Sequence, residues 1–174
     1  MDVNFERAEK IWSPLIGKFI VDFVVIDDSI QHIIGKHLSK LSQGELKNQH
    51  KLRIRLRSIK KIMMLYLVDA KMIQQFNEVI LEIKDLYQIR NLIAHNSLSF
   101  RYDLHENGSL KAVGFQINGK KIDLSLDYEE LKAKLEHLRD VRTRFSQLTQ
   151  CYYESEIRLI EQLANSKNEK TQIP

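Results

Sequence analysis

The sequence contains few of the residues that cross-link a chain or interrupt its secondary structure. Among its 174 residues there are one cysteine, two prolines and six glycines. A single cysteine excludes an internal disulfide framework and is typical of a reducing compartment, so we expect a cytoplasmic protein. Because proline and glycine are scarce, few breaks between secondary-structure elements are expected.

The sequence also lacks a long uncharged apolar run. Its most apolar stretch, residues 15–34, contains Lys18, Asp22, Asp27 and Asp28, which are too many charges for a membrane span. The first residues lack a basic region that leads into an apolar run, so we expect no signal peptide. The composition, 43% hydrophobic and 29% charged, is ordinary for a soluble globular protein. It excludes secreted, collagen-like, membrane and wholly disordered proteins, and we expect no membrane partner.

Apolar residues at helical spacing predict helices over the first half of the chain. The first follows Ser13-Pro14 and has apolar residues at 16, 19, 20, 23, 26, 30, 33, 34 and 38. Residues 5–12 form either a separate short helix or part of the same helix with a kink at Pro14. The second has apolar residues at 52, 56, 59, 63 and 66; it also alternates like a strand over 51–57, but the helical set persists for four turns. The third runs from about 69 to 94.

After residue 96 the apolar period changes from helical to two, which predicts three short strands. Asn118-Gly119 is a hairpin signal, and Asp127 with Glu130 is a helix-capping pair. The last helix is long, and we expect a break near residues 149–155. The predicted fold is mainly α: a bundle of four to five helices with a three-stranded antiparallel β-meander, about 97–126, inserted before the last long helix. We expect one domain over 1–164 and a flexible tail over 165–174.

The net charge of +4 is unevenly distributed along the chain. Residues 46–68 contain seven cations and no acid, and six of these cations are expected to contact RNA phosphates if the segment binds nucleic acid. The six are Lys51, Arg53, Arg55, Arg57, Lys60 and Lys61. The alternative is an ordinary solvated helix face.

Several catalytic and cofactor patterns are absent. The stretch from Gly114 to Lys121 resembles a phosphate-binding loop, but Lys121 stands where a magnesium-binding Ser or Thr belongs. The histidines show no metal-ligand spacing, and there is no Gly-x-Ser-x-Gly. We therefore expect neither a metal nor another cofactor.

One motif stands out at the end of the third helix, Arg90-Asn91-Leu-Ile-Ala-His95-Asn96. Arg90 continues the apolar face of that helix, where an arginine is costly to bury unless it is paired. Asn91 and His95 are one turn apart, so the amide is placed to orient the imidazole. An alternative is that Arg90 pairs with a buried acid such as Asp85 or Glu82 and that His95 only caps the helix.

This stretch resembles the HEPN family of helical-bundle domains, whose hallmark is Arg, a polar residue that is often Asn, three further residues and His. The resemblance implies a HEPN-like fold and a metal-independent endoribonuclease that acts as a homodimer, with Arg90, Asn91 and His95 as catalytic residues. It also implies a toxin–antitoxin or antiviral role, with RNA as substrate and a cognate antitoxin or regulatory protein as a further partner. One toxin branch carries a Tyr two residues after the His, and this chain has Ser97 there.

The residue types suit RNA cleavage by the adjacent 2′-OH. That reaction needs a proton acceptor, a proton donor for the 5′-oxygen and charge stabilisation on the phosphorane. Histidine titrates near neutral pH, and arginine offers a planar fork for phosphate oxygens. One chain supplies one such histidine, and a two-fold dimer supplies two. The alternatives are a non-catalytic HEPN-like module that binds nucleic acid or a partner protein, and a purely structural helical dimer.

Overall fold

The computed structural model describes residues 3–67, 69–95, 97–104, 110–118 and 123–170. Within these ranges, the side chains of 3–9, 95, 97–104, 110–118, 123–125, 163–164 and 166–170 are not described. The side chain of His95, the hairpin turn at Gly119 and the turn at 106–109 therefore lie outside the described set.

Helices make up most of the described residues. The helices are α1 (Val3–Lys36), a short 3-10 turn (Leu38–Lys40), α2 (Gln43–Lys47), α3 (Leu52–Met63), α4 (Ala70–His95) and α5 (Tyr128–Lys170). The prediction of a mainly helical protein is confirmed. The segment 52–63, which also alternates like a strand, is helical, because its apolar residues at positions 52, 56, 59 and 63 are all buried on one face.

Three strands lie between α4 and α5: β1 (Ser97–Leu104), β2 (Leu110–Asn118) and β3 (Asp123–Asp127). They pair antiparallel in the order β1-β2-β3. Phe100 on β1 is paired with Phe115 on β2, and Phe115 is paired with Leu126 on β3. The β1–β2 register shifts between Arg101 and Tyr102. The sheet ends at Asp127, directly before α5 begins.

Side-chain caps fix where three helices start. Ser42 and Glu45 form a reciprocal capping box on α2, and Asp127 and Glu130 do the same on α5, with both bonds at 2.7 Å. The Asp69 carboxylate accepts from two backbone N–H groups at the start of α4, at 2.7 and 3.3 Å. The capping pair of Asp127 and Glu130 read from the sequence is therefore confirmed.

Two of the long helices are continuous where the sequence left room for a break. Pro14 lies inside α1, so of the two alternatives for residues 5–12 the structure has the second, in which they belong to the same helix. No break occurs near residues 149–155 of α5, which continues to Lys170, past the expected end at 164. The hydroxyls of Thr149 and Ser155 donate to the carbonyls of Ser146 and Cys151 at 2.8 and 2.9 Å, and so are satisfied without leaving the helix.

The chain divides into two compact units, which are described separately. The first comprises Met1–Asp27 with Glu82–Arg142, and the second comprises Asp28–Leu81 with Thr143–Pro174. In the first, Trp12 is buried and meets the ring of Tyr128 edge-on at 5.6 Å. In the second, Phe76 and Phe145 stack at 6.5 Å. The single domain over 1–164 and the flexible tail stay predictions.

The long helices do not have the character of membrane spans. Across the ranges that the structure describes, none combines sufficient length with sufficient apolarity to cross a bilayer.

Candidate functional site

The motif residues occupy the last two turns of α4, in the first unit. Arg90 lies on the helix face that carries the buried side chains of Ile83 and Leu86, and it is half-buried there. Ile93 is buried one turn further on. The arginine is thus placed on the packed side of α4, as the sequence pattern predicts.

Arg90 is held by its neighbour in the chain. Its Nη1 donates a hydrogen bond of 3.1 Å to the Asn91 amide oxygen, and both side chains are half-buried. A guanidinium has five N–H donors, so this bond fixes one edge of the group and leaves other donors for a ligand oxygen. The Asn91 oxygen is thereby used, and the amide NH₂ stays available as a donor.

The packing of α4 in the first unit steadies the end on which the motif sits. The ring of Tyr87 lies 5.6 Å from that of Phe23 on α1, centroid to centroid, at an interplanar angle of 35°. Leu86 and Ile93 flank Arg90 on the buried side and are 2% and 6% exposed. Because the helix is anchored on both sides of Arg90, the guanidinium is presented from a rigid element.

His95 is the last residue of α4, and its side chain is outside the described set. One helical turn separates it from Asn91, so the two residues share a helix face. The contact between the amide and the imidazole stays a prediction.

Of the two acids considered as salt-bridge partners of Arg90, one is close to a histidine and the other is exposed. The Glu82 carboxylate lies 3.4 Å from Nε2 of His137, and Asp85 is exposed. Among the described residues, neither acid forms an ion pair with Arg90. This arrangement weighs against the view of Arg90 as half of a buried salt bridge.

Two further arginines of the first unit share one carboxylate on another helix. The Asp22 carboxylate accepts from Arg139 Nε at 3.0 Å and from Nη1 of Arg142. The Asp22 side chain is 12% exposed, and the two arginines are 47% and 39% exposed. These arginines tie α5 to α1 within the unit, and the shared carboxylate offsets one of their two positive charges.

The basic helix α3 belongs to the second unit and divides into exposed and buried cations. Arg53, Arg57 and Lys60 are exposed along one stripe, and Lys51 is exposed just before the helix. Lys61 lies 3.7 Å from the Glu45 carboxylate, whose pKa is held below its usual value by hydrogen bonds from Ser42. The second unit therefore exposes a largely unopposed cationic stripe.

Arg55 differs from the other cations of α3. It is buried, and its Nη1 donates to the backbone carbonyl of Gln49 at 2.7 Å. It helps to fix the turn that precedes α3, so we leave it out of the RNA-contact stripe. The spacing of the basic residues did not predict the burial of Arg55, because Arg55 lies between other basic residues.

The second unit contains a buried polar cluster that the sequence analysis did not predict. Nε2 of His37 lies 3.3 Å from the Glu156 carboxylate and hydrogen-bonds to the Tyr152 hydroxyl, which itself donates to Glu156 at 3.2 Å. Since both neighbours of Nε2 accept, the imidazole proton belongs on that nitrogen. His37 and Tyr152 are 5% and 0% exposed.

Aromatic rings and lysines enclose this cluster. The Tyr66 ring lies 5.4 Å from that of His37 and 5.2 Å from that of Tyr152, and Lys40 donates to the Tyr66 hydroxyl. Burial, with nearby Lys40, lowers the pKa of His37, and burial beside Glu156 raises the pKa of Tyr152. The only available signal was that His37 follows the buried positions of α1 by one turn.

The fold and the motif together define a mainly helical protein whose candidate site is an arginine–asparagine pair at a helix end. No family model, curated protein or solved structure matches the chain. Across the part of the chain that the structure describes, no three His, Cys, Asp or Glu side chains gather as metal ligands would.

Proposed function

We propose that the protein is a metal-independent endoribonuclease of the HEPN type, with a HEPN-like bundle and a small β-meander before the last helix. The observation that carries the proposal is the half-buried Arg90 on α4, held by Asn91, which lies one turn before His95. The site is proposed to act in the cytoplasm, in toxin–antitoxin or antiviral defence, and to answer to a cognate antitoxin or regulatory protein.

Each motif residue has a distinct task in this mechanism. The ribose 2′-OH attacks the adjacent phosphorus while a histidine accepts its proton, and a second histidine protonates the departing 5′-oxygen. Arg90 donates to the non-bridging oxygens, whose negative charge increases in the phosphorane. Asn91 is a positioning residue, since it fixes the Arg90 guanidinium and is one turn from His95.

A homodimer supplies the missing histidine. A chain offers one His95, whereas the reaction uses an acid and a base on opposite sides of phosphorus. A two-fold axis that passes beside the end of α4 brings two Arg90–His95 sets to one cleft. The products are a 2′,3′-cyclic phosphate and a 5′-hydroxyl, and no metal takes part in the step.

The test is cleavage of a single-stranded RNA by purified protein in EDTA. We expect 2′,3′-cyclic phosphate ends, and we expect His95→Ala to abolish them. His32→Ala is the matched control, because His32 is an exposed histidine of α1. Full cleavage by His95→Ala, or a strict need for a divalent metal, overturns the proposal.

A second candidate function is a non-catalytic HEPN-like module that binds RNA through α3. It is favoured by the exposed stripe of Arg53, Arg57 and Lys60, which does not depend on the motif. Changing all three to Gln removes about three phosphate contacts and should reduce the slope of log K against log salt by about 2. The matched control changes the exposed Lys10, Lys18 and Lys134 to Gln. Binding lost only in the first triple, with no turnover by the unaltered protein, supports this candidate over the nuclease.

A further inference from the structure

Two adjoining cavities lie between α4 and α5 in the second unit. Their volumes are about 340 and 370 Å³, and both are lined by Met72. The first pairs residues near Val79 with those near Leu148, and the second pairs the start of α4 with residues near Leu159. Along the groove, residue numbers increase on α5 as they decrease on α4. The two helices are therefore antiparallel.

The groove has the length of a helix. On α5 its lining residues extend from Arg144 to Gln162, which is about 27 Å at 1.5 Å per residue. Leu148, Cys151, Ser155 and Leu159 follow each other at steps of three and four, so they form one continuous stripe. This is the surface on which a further helix of about 18 residues packs along two antiparallel helices.

The floor of the groove is apolar and partly uncovered. Val79 and Leu148 are buried at its base, whereas Leu65 and Leu159 on its edges are 60% and 44% exposed. Exposed apolar side chains that border a groove are a common mark of a protein-binding surface.

The two walls carry opposite charges. Arg144 and Arg158 line the α5 wall, while Glu78 and Asp69 line the α4 wall. Because the helices are antiparallel, Arg158 stands across from Asp69 at one end, and Arg144 stands across from Glu78 at the other. A helix that lies between these walls meets cations on one flank and anions on the other.

We propose that this groove binds an amphipathic helix of a partner protein. The partner presents an apolar stripe to the floor, acidic residues to the α5 wall and basic residues to the α4 wall. Because only one orientation matches both walls, the charges determine the direction in which the helix lies. The proposal does not depend on ribonuclease activity.

The test uses three 18-residue synthetic peptides with the same leucine stripe. One carries Glu along one flank and Lys along the other, the second carries Lys on both flanks, and the third carries Gln on both. Fluorescence anisotropy measures their affinity for the full chain. Cys151, the single cysteine, lines the groove, so its rate of reaction with Ellman's reagent reports occupancy.

We expect the Glu/Lys peptide to bind about ten-fold more tightly than either of the others and to slow the reaction of Cys151. Arg158→Glu should shift the preference to the Lys/Lys peptide, since both walls are then acidic at that end. Lys134→Glu, on an exposed residue outside the groove, should leave the preference unchanged. Arg158 is exposed, and circular dichroism checks that its variant folds.

Three results overturn the proposal. The first is equal binding of the three peptides, which indicates unspecific apolar adhesion. The second is binding without protection of Cys151, which places the peptide elsewhere. The third is a dimer in sedimentation that already protects Cys151 and that Arg158→Glu dissociates, since the occupant is then a second copy of the chain.

Discussion

The two compact units differ in how their polar side chains are hydrogen-bonded. In the second unit, His37, Tyr152 and Glu156 satisfy one another inside a shell of aromatic rings. In the first, Arg90 is half-buried and bonded to Asn91 through one of its five donors. A closed network stabilises its unit, whereas a positioned group with spare donors has capacity for a ligand. The difference favours the end of α4 as the functional site.

The same contrast holds for the two arginine-rich regions. Arg139 and Arg142 share the Asp22 carboxylate on another helix of their unit, while Arg53 and Arg57 on α3 are exposed and form no ion pair among the described residues. Local density of basic residues therefore does not distinguish a binding face from a structural ion pair. The distinction depends on an acid more than 100 positions away in the chain.

The largest expected effect concerns Arg90. Arg90→Gln removes the charge that stabilises the phosphorane, and we expect cleavage to fall about 10² to 10³-fold, as for loss of one oxyanion donor. The thermal midpoint should change little, because the guanidinium is half-buried and, among the described residues, bonds only to Asn91. Initial rates on a labelled RNA measure the loss.

Tyr152→Phe serves as the control for this experiment. It acts on the closed network of the second unit, and cleavage should therefore persist. If it lowers the cleavage rate as much as Arg90→Gln does while the protein stays folded, the contrast between the units is wrong.

Asp22→Asn should have the largest effect on stability. The change leaves Arg139 and Arg142 without their carboxylate, and we expect the free energy of unfolding to fall by about 2 kcal/mol, less than for a fully buried pair because the arginines are half-exposed. Urea unfolding followed by circular dichroism measures it. Asp28→Asn removes an exposed carboxylate and should cost close to nothing; an equal loss in both variants refutes a specific role for Asp22.

Local features of the fold were predictable from the sequence, because the information that specifies them is local. The buried side of α3 and the capping pair of Asp127 and Glu130 depend on residues within a few positions of each other. The continuity of α1 through Pro14 and of α5 through 149–155 was not predicted, because a proline or a run of polar residues is compatible with both a break and a continuous helix; in α5 the hydroxyls of Thr149 and Ser155 bond to carbonyls one turn back.

The candidate site divides in the same way. The placement of Arg90 on the packed face of α4 followed from helical spacing, and so did the exposure of Arg53 and Arg57 on one stripe. The burial of Arg55 and the meeting of His37 with Tyr152, 115 positions apart, did not. Tertiary packing determines which of several neighbouring basic or aromatic side chains is buried, and residue spacing alone does not predict it.

A smaller effect on stability is expected for Tyr152→Phe itself. The substitution keeps the ring but removes the hydroxyl that bonds to Glu156 and His37, and we expect a loss of about 1 kcal/mol. Tyr153→Phe is the matched control on the adjacent, half-buried tyrosine. Urea unfolding distinguishes them, and equal losses would show that the network adds nothing beyond packing.

The smallest expected effect is a pH dependence that originates in His37. Burial, with Lys40 and Lys36 nearby, lowers its pKa in the folded state despite Glu156, so the unfolded chain binds more protons at this residue once the pH approaches the ordinary histidine pKa of 6.5. Stability should therefore fall slightly as pH drops below about 6.5. His37→Gln should reduce the change in thermal midpoint between pH 7 and 5.5. His32→Gln, on the exposed face of α1, should not reduce it. If the thermal midpoints of both variants change with pH as that of the unaltered protein does, the protons bind elsewhere. The buried network of the second unit then does not contain a neutral His37.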